Sequence, residues 1–316
     1  MSTHPNDNQN HVEHARAGLF AGILAYALWG SFPIYFKMTA MVPPLEILAQ
    51  RIFWSLPFGA ILIAYRKQWP QVWVAFKQKQ TFTYLALAAA IIAANWGIYI
   101  WAVQNDQIFQ ASLGYYINPL IFVLVGVVFL GERLNRYQFI AVLLAFLGVA
   151  VLTIYGGQFP VIALTLAASF TIYGIIRKQV DVRAMPGLFI EILVLFPFAA
   201  AYLAWIKVTG HMVFLSGKLD IDGLMVLAGP LTVIPLVAFS FAAKRLKLST
   251  IGFLQFIGPT GQFILALYYG ETLTPAHIIC FALIWSAVGF FMWGAYRSSL
   301  AHKRAALSSS LPPPLD

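Results

Sequence analysis

Residues 17–37 read AGLFAGILAYALWGSFPIYFK, an apolar run with no charge before Lys37. At about 1.5 Å per residue, a helix of this length crosses the ~30 Å hydrocarbon layer of a bilayer. The run exceeds the ~7–15 residues of a signal-peptide apolar region, so it reads as a retained membrane span. Its last part, Ser31-Phe32-Pro33-Ile34-Tyr35, returns later in the chain, and that return decides the architecture.

The surrounding composition agrees with this span. Of 316 residues, 60% are hydrophobic and only 10% charged, with a mean hydropathy of +0.78. A soluble chain carries about 25% charged residues, so a water-soluble enzyme with one buried core is excluded. The apolar residues suffice for about nine or ten spans of ~20 residues. The net charge of +9 reflects basic loops between spans rather than nucleic-acid binding. Cys280 is the one cysteine, which leaves no disulfide within the chain and no cysteine-based metal site.

Runs bounded by charge, proline or glycine predict ten spans, here called spans 1 to 10: 17–37, 44–65, 82–103, 109–131, 137–155, 160–178, 186–207, 221–243, 249–270 and 275–296. The longest connection, Thr209 to Asp220, has about twelve residues and leaves no room for a soluble domain. Residues 1–16 and 297–316 are polar, then basic and Ser/Pro-rich, and are expected to be disordered tails.

Basic residues set the orientation. With the N-terminus in the cytoplasm, the inner segments hold Arg16, Arg66, Lys67, Lys77, Lys79, Arg133, Arg136, Arg177, Lys178, Arg183, Lys244, Arg245, Lys247, Arg297, Lys303 and Arg304. These are 16 of the 20 basic residues. The outer segments hold only Lys37, Lys207 and Lys218, and Arg51 falls inside span 2. Both termini are therefore expected in the cytoplasm.

Ser31-Phe32-x-Ile34-Tyr35 recurs as Ser169-Phe170-x-Ile172-Tyr173, 138 residues later. Ala111-Ser112-Leu113-Gly114-Tyr115 likewise matches Ser249-Thr250-Ile251-Gly252-Phe253. Pro119 with Gly131-Glu132-x-Leu134 matches Pro259 with Gly270-Glu271-x-Leu273, and Pro57-Phe58-x-Ala60 matches Pro197-Phe198-x-Ala200. Four matches in one order predict two repeats, 17–155 and 160–296, of five helices each. An odd number of spans inverts the second repeat, the arrangement of secondary transporters that place their site between the halves. The expected fold is an all-α integral membrane protein of ten helices in two inverted five-helix repeats.

These residues resemble the drug/metabolite transporter superfamily of EamA type, and within it the RarD group, whose members are named chloramphenicol-sensitivity proteins. The resemblance rests on AYALWGSFPIYFK (25–37), EILAQRIFWS (46–55), NWGIYIWAV (95–103), ASLGYYINPL (111–120), FLGERL (129–134), SFTIYGIIRK (169–178), RLKLSTIGFLQFIGPT (245–260) and YGE (269–271). Gln50 stands where the group usually has His, which weakens any proton-relay role there, and Asn105-Asp106 replaces a more variable Asn-x pattern. The resemblance implies a carrier in the bacterial inner membrane. It also implies that spans 1, 3, 4, 6, 8 and 9 surround a central path, with Asn95, Tyr99, Tyr116 and Asn118 facing one polar void.

Polar residues at membrane depth are costly and are candidates for function. Glu46 follows Pro43-Pro44, and Glu191 follows Pro186; each either serves its own helix N-terminus or gates the path. Arg51 lies five residues beyond Glu46, about 140° around the helix, so the two make a poor intrahelical pair. It must snorkel, or find a partner on another helix or on the substrate. Lys37 either holds its helix end or attracts an anion, whereas Arg177 and Lys178 are explained by the basic inner loops.

Asn95, Trp96 and Tyr99 sit mid-span, with Asn95 and Tyr99 on one face. Tyr115, Tyr116 and Asn118 precede Pro119, and Gln255 precedes Pro259 in the matching span. The prolines are expected to break their helices, and the cluster to line a cavity or to pack as ordinary aromatics. Tyr35 and Tyr173 are cavity or core residues. Glu132 and Glu271 read as helix ends.

No metal site, Walker lysine or Ser-His-Asp arrangement is apparent, and no cofactor is expected. The expected function is secondary transport of small organic metabolites or drug-like compounds by alternating access, with proton coupling left open. A non-transporting membrane scaffold is the alternative. An integral membrane enzyme fits least, because histidines are absent from the span interiors. Expected partners are a small-molecule substrate and the lipid bilayer, with no nucleic acid, in a monomer or homodimer.

Overall fold

The computed structural model describes residues 5–130, 134–246 and 248–309. Among these residues the backbone is helix and short turns, with no strand. In chain order the helices are α1 (Pro5–Met38), α2 (Pro44–Tyr65), α3 (Trp69–Lys77), α4 (Lys79–Gln104), α5 (Ile108–Leu130), α6 (Arg136–Ile154), α7 (Val161–Lys178), α8 (Ala184–Val208), α9 (Leu219–Ala243), α10 (Leu248–Leu254), α11 (Ile257–Tyr268) and α12 (Pro275–Ser309). Ten stretches are long and apolar enough to cross a membrane, and each matches a predicted span to within about three residues. Spans 1 to 10 are α1, α2, α4, α5, α6, α7, α8, α9, α10 with α11, and α12.

Three features differ from the sequence reading, and span 9 is broken beside Pro259 as expected. The segment between α2 and α4, read as a loop, holds the short helix α3. Val72 and Ala75 of α3 are buried, while Trp69, Trp73 and Phe76 stay exposed, as in a helix lying along a membrane surface. Span 9 is interrupted at Gln255-Phe256. Pro259 has no N–H to offer the Gln255 carbonyl, which explains a break there. Pro119, by contrast, lies inside a continuous α5, so it does not break its helix. Finally, the expected disordered tails are helical in their described parts, since α1 begins at Pro5 and α12 continues to Ser309. Extending an existing helix avoids the cost of nucleation, and Arg297 Nη1 donates to the Tyr137 hydroxyl at 2.8 Å. His4 and Glu132 lie outside the described residues.

The chain divides into two compact units, 1–115 with 161–272 and 116–160 with 273–316. In the first, α1 packs on α9 and α11, α2 on α8 and α9, and α4 on α7 and α8. Hydrocarbon solvent gives helices no hydrophobic reason to associate, so close approach of backbones at small residues does the work. A Cβ on Gly229 of α9 would lie 2.5 Å from the Trp54 carbonyl oxygen of α2. One on Gly114 of α5 would lie 2.7 Å from the Ala163 carbonyl oxygen of α7, and one on Gly30 of α1 would lie 3.0 Å from that of Gly258.

In the second unit α6 packs on α12 by the same means. Ala141, Ala145 and Leu152 of α6 are buried, and Gly148 lies beside the Cys280 carbonyl.

These approaches predict stability. Gly229→Ala and Gly114→Ala should each lower the stability of the detergent-solubilised protein by about 1–3 kcal/mol through overpacking. Gly252→Ala, where the added carbon meets nothing within 4 Å, should not. Thermal melting of the three variants checks this, and equal melting points would show that the helices relax without cost.

Candidate functional site

Arg51 is carried on α2, and at 6% exposure its guanidinium is buried. Its Nε donates to Thr232 Oγ1 of α9 at 2.7 Å. The Thr232 hydroxyl donates in turn to the Ala228 carbonyl at 2.8 Å, which leaves its lone pairs to face Arg51. The guanidinium carbon lies 4.1 Å from the centre of the Trp96 ring and 5.4 Å from that of Phe32. These are cation–π contacts, worth about 2 kcal/mol or more when desolvated. The protonatable hydroxyls of Tyr35, Tyr99 and Tyr115 lie in the field of the same charge.

A small cavity opens beside Arg51, lined by Phe32, Tyr35, Phe36, Arg51, Ala228, Leu231 and Thr232. Tyr35 is held there by its hydroxyl, which donates to the Leu224 carbonyl at 3.0 Å. Phe36 stacks edge-on against Tyr35 and Tyr99, and Tyr99 against Tyr115. The Tyr99 hydroxyl is buried without a hydrogen-bond partner. Phe32, Phe36 and Thr232 were missed by sequence reading. The flanking prolines Pro230 and Pro235 were the available signal for Thr232.

A second buried polar cluster joins α7 to α8. Glu191 is 1% exposed, Arg177 Nε lies 3.4 Å from its Oε1, and the Tyr173 hydroxyl donates to its Oε2 at 3.2 Å. Glu191 thus pairs across helices instead of serving its own N-terminus. Arg177, assigned from sequence to a basic loop, is its partner. Gly187 makes room for that guanidinium, since a Cβ there would come within 2.2 Å of Arg177 Nη1.

Other sequence candidates find structural partners. Both oxygens of Glu46 accept the Val213 N–H at 3.1 Å, and Oε1 accepts that of Phe214 at 2.9 Å, so Glu46 ties the connection before α9 to α2. Lys37 forms an ion pair with Asp106. Asn95 donates to the Leu166 carbonyl and to Ser169 Oγ, at 3.0 and 2.9 Å, so its amide joins α4 to α7. Gln255 is half-buried at the α10–α11 break, and the Pro259 carbonyl accepts the Ser112 hydroxyl at 2.8 Å. In the second unit Tyr116 packs against Phe281 and Trp285, and Asn118 is buried. The cavity beside Arg51 is therefore built from α1, α2 and α9, and Asn95, Tyr99, Tyr116 and Asn118 are not among its lining residues. Among the described residues no group of three or more His, Cys, Asp or Glu could hold a metal.

The Glu191–Arg177 pair predicts non-additive stability. Arg177→Gln leaves a buried carboxylate without its counter-charge and should cost about 3–5 kcal/mol. Adding Glu191→Gln should recover most of that loss. A double-mutant cycle from thermal melting reads the coupling, and additive losses would show that the two charges do not interact.

Residues 16–154 match the model of the EamA-like transporter family. The protein named RarD of Salmonella typhi is 44% identical, over 90% of this chain and 97% of its own length. A transporter of Vibrio cholerae is 42% identical, over 93% of this chain and 97% of its own. A solved crystal structure shares the fold, with a TM-score of 0.57 at 20% identity over 90% of this chain and 98% of that one. Identity at this level, over nearly the full length of both chains, places the protein in the EamA-like transporter family, as a member of its RarD group of membrane transporters.

Proposed function

We propose that this chain is a secondary transporter of the bacterial inner membrane, moving small organic molecules by alternating access between two inverted repeats. One observation carries the reading: a buried, incompletely satisfied charge faces a cavity whose walls come from both proposed repeats. Phe32, Tyr35, Phe36 and Arg51 belong to residues 17–155, whereas Ala228, Leu231 and Thr232 belong to 160–296. A site of mixed parentage is what inverted-repeat carriers use.

The helix contacts support the repeat. A pseudo-twofold that exchanges spans 1–5 with spans 6–10 maps the α1–α9 contact onto α4–α7, and the α2–α9 contact onto α4–α8. It maps α2–α8 and α6–α12 onto themselves. All of these contacts are present. The α1–α11 contact maps onto α5–α7, where Gly114 meets Ala163. The basic-residue bias supports cytoplasmic termini, and the Trp-rich face of α3 would then rest on the cytoplasmic membrane surface.

In this reading Arg51 and Tyr35 hold the substrate, backed by Trp96 against the guanidinium and by the Phe36–Tyr99–Tyr115 ring contacts. Tyr173, Glu191 and Arg177 form a charged latch elsewhere in the path, and Glu46 with Lys37 secures the outer connections. A proton could be exchanged at Glu191, which among the described residues is the one carboxylate buried within a span away from the outer connections.

Reporter fusions after Lys79 and Arg183 should read cytoplasm and one after Lys218 periplasm; a cytoplasmic signal at Lys218 removes the inverted topology. Function is tested by flux into proteoliposomes of the small solutes that stabilise the purified protein. Arg51→Lys keeps the charge but loses the planar fork, so it should fold yet transport about tenfold more slowly, and Arg51→Gln more slowly still. Wild-type flux in Arg51→Gln at equal abundance would return Arg51 to a packing role.

A further inference from the structure

We infer that the cavity beside Arg51 selects organic anions, with the carboxylate of a small apolar or aromatic acid as the counter-charge of the guanidinium. The inference rests on the reading of this cavity as the substrate site and adds the chemical class of what enters it.

Two arginines of the described residues lie within helix packing, Arg51 buried and Arg177 half-buried, and the chain treats them differently. Arg177 is given Glu191 at 3.4 Å. Arg51 is given a single neutral oxygen, Thr232 Oγ1, and two aromatic faces. Among the described residues no carboxylate lies within ion-pair distance of it; the ion pairs are Lys37–Asp106 and Arg177–Glu191. A guanidinium carries five N–H donors, and Thr232 engages only the one on Nε. A lone charge at membrane depth is expensive unless something pairs with it.

The repeat sharpens the contrast. In the frame set by Pro57 and Pro197, Arg51 corresponds to Glu191, and in the frame set by Ser31 and Ser169, Tyr35 corresponds to Tyr173 and Thr39 to Arg177. One half thus holds a tyrosine beside a neutralised pair. The other holds a tyrosine beside an arginine, with threonine where the second charge would stand. The missing negative charge must arrive with the ligand.

The walls specify the remainder of the ligand. Phe32, Phe36, Ala228 and Leu231 offer only apolar contact, which suits an organic anion and not a strongly hydrated inorganic one. The cavity is small, well below the ~300–1,000 Å³ of drug-sized pockets, which excludes drug-sized ligands. Arginine is the side chain matched to a carboxylate by a planar, two-pronged contact.

The test uses the full chain in lipid nanodiscs and two probes of equal size, 3-phenylpropanoate and 3-phenylpropanamide, of which the first is an anion and the second a neutral amide with one acceptor oxygen replaced by N–H donors. Calorimetric titration should give about tenfold tighter binding, or more, for the carboxylate on the wild-type protein. Arg51→Gln should remove that preference, and Leu231→Phe, which narrows the cavity, should weaken both probes. Because arginine does not titrate in the working range, the preference should persist from about pH 6 to 8.

Equal affinity for the two probes, or no binding of either, overturns the anion selectivity. If the two bind equally and both are lost in Arg51→Gln and Leu231→Phe, the cavity remains the substrate site and only the ligand class is wrong. If the carboxylate preference survives in both variants, the anion binds elsewhere, and the reading of this cavity falls with it. The wild-type affinity ratio stands as a test even where Arg51→Gln does not fold.

Discussion

Arg51 imposes the demand around which the first unit is arranged. A guanidinium at membrane depth has no water to share its charge, so each neighbour must offer either electron density or an oxygen. Trp96 and Phe32 present ring faces, and Thr232 presents its hydroxyl, itself aimed by the Ala228 carbonyl. These groups come from α4, α1 and α9. Satisfying one side chain of α2 therefore fixes the mutual placement of four helices, and the small-residue crossings at Gly229 and Gly30 let those helices approach closely enough to do so.

The same economy governs the two buried acids among the described residues. Glu46 and Glu191 each meet donors contributed by a distant part of the chain, the first from Val213 and Phe214, the second from Tyr173 and Arg177. Breaking a fully enclosed group of this kind costs more than forming it gains, because the orphaned partner is left without water. Such clusters act as discrete latches, since partial opening satisfies neither side.

The span count and most boundaries were legible in the sequence because hydrocarbon admits only a helix with internally satisfied backbone groups, so length and charge alone nearly determine each span. Arg51 stood out for the same reason, as a full charge with no helical neighbour to pair with. What the sequence concealed was partnership. Arg177 fitted the basic inner-loop pattern so well that its pairing with Glu191 left no local trace. Asn95 resembled a cavity residue, yet its amide nitrogen is spent on Leu166 and Ser169 of α7. The helix α3 was hidden because two buried residues, Val72 and Ala75, are too few to produce a clear apolar period. Pro119 and Pro259 look alike as letters, and only the environment decides that one is absorbed within α5 while the other follows a break.

Glu271 shows how a helix end can be completed from far away. The first N–H groups of α5 have no partner within the helix, as at every helix start. The Glu271 carboxylate accepts the N–H groups of both Ile108 and Phe109, the latter at 2.8 Å. Burial pushes its carboxyl above the ordinary value, and the two N–H groups and Lys37 pull it back down. Since the net direction is upward, the charged form is held at some cost, which is borne by joining the turn after α11 to the start of α5. The Lys37–Asp106 ion pair closes the neighbouring connection, so α1, α4, α5 and α11 meet at one end through charges placed outside the apolar spans. Polar groups at that rim can be paired with backbone at little penalty. The interior could not use this solution for Arg51, and it is there that the chain leaves a charge for something else to complete.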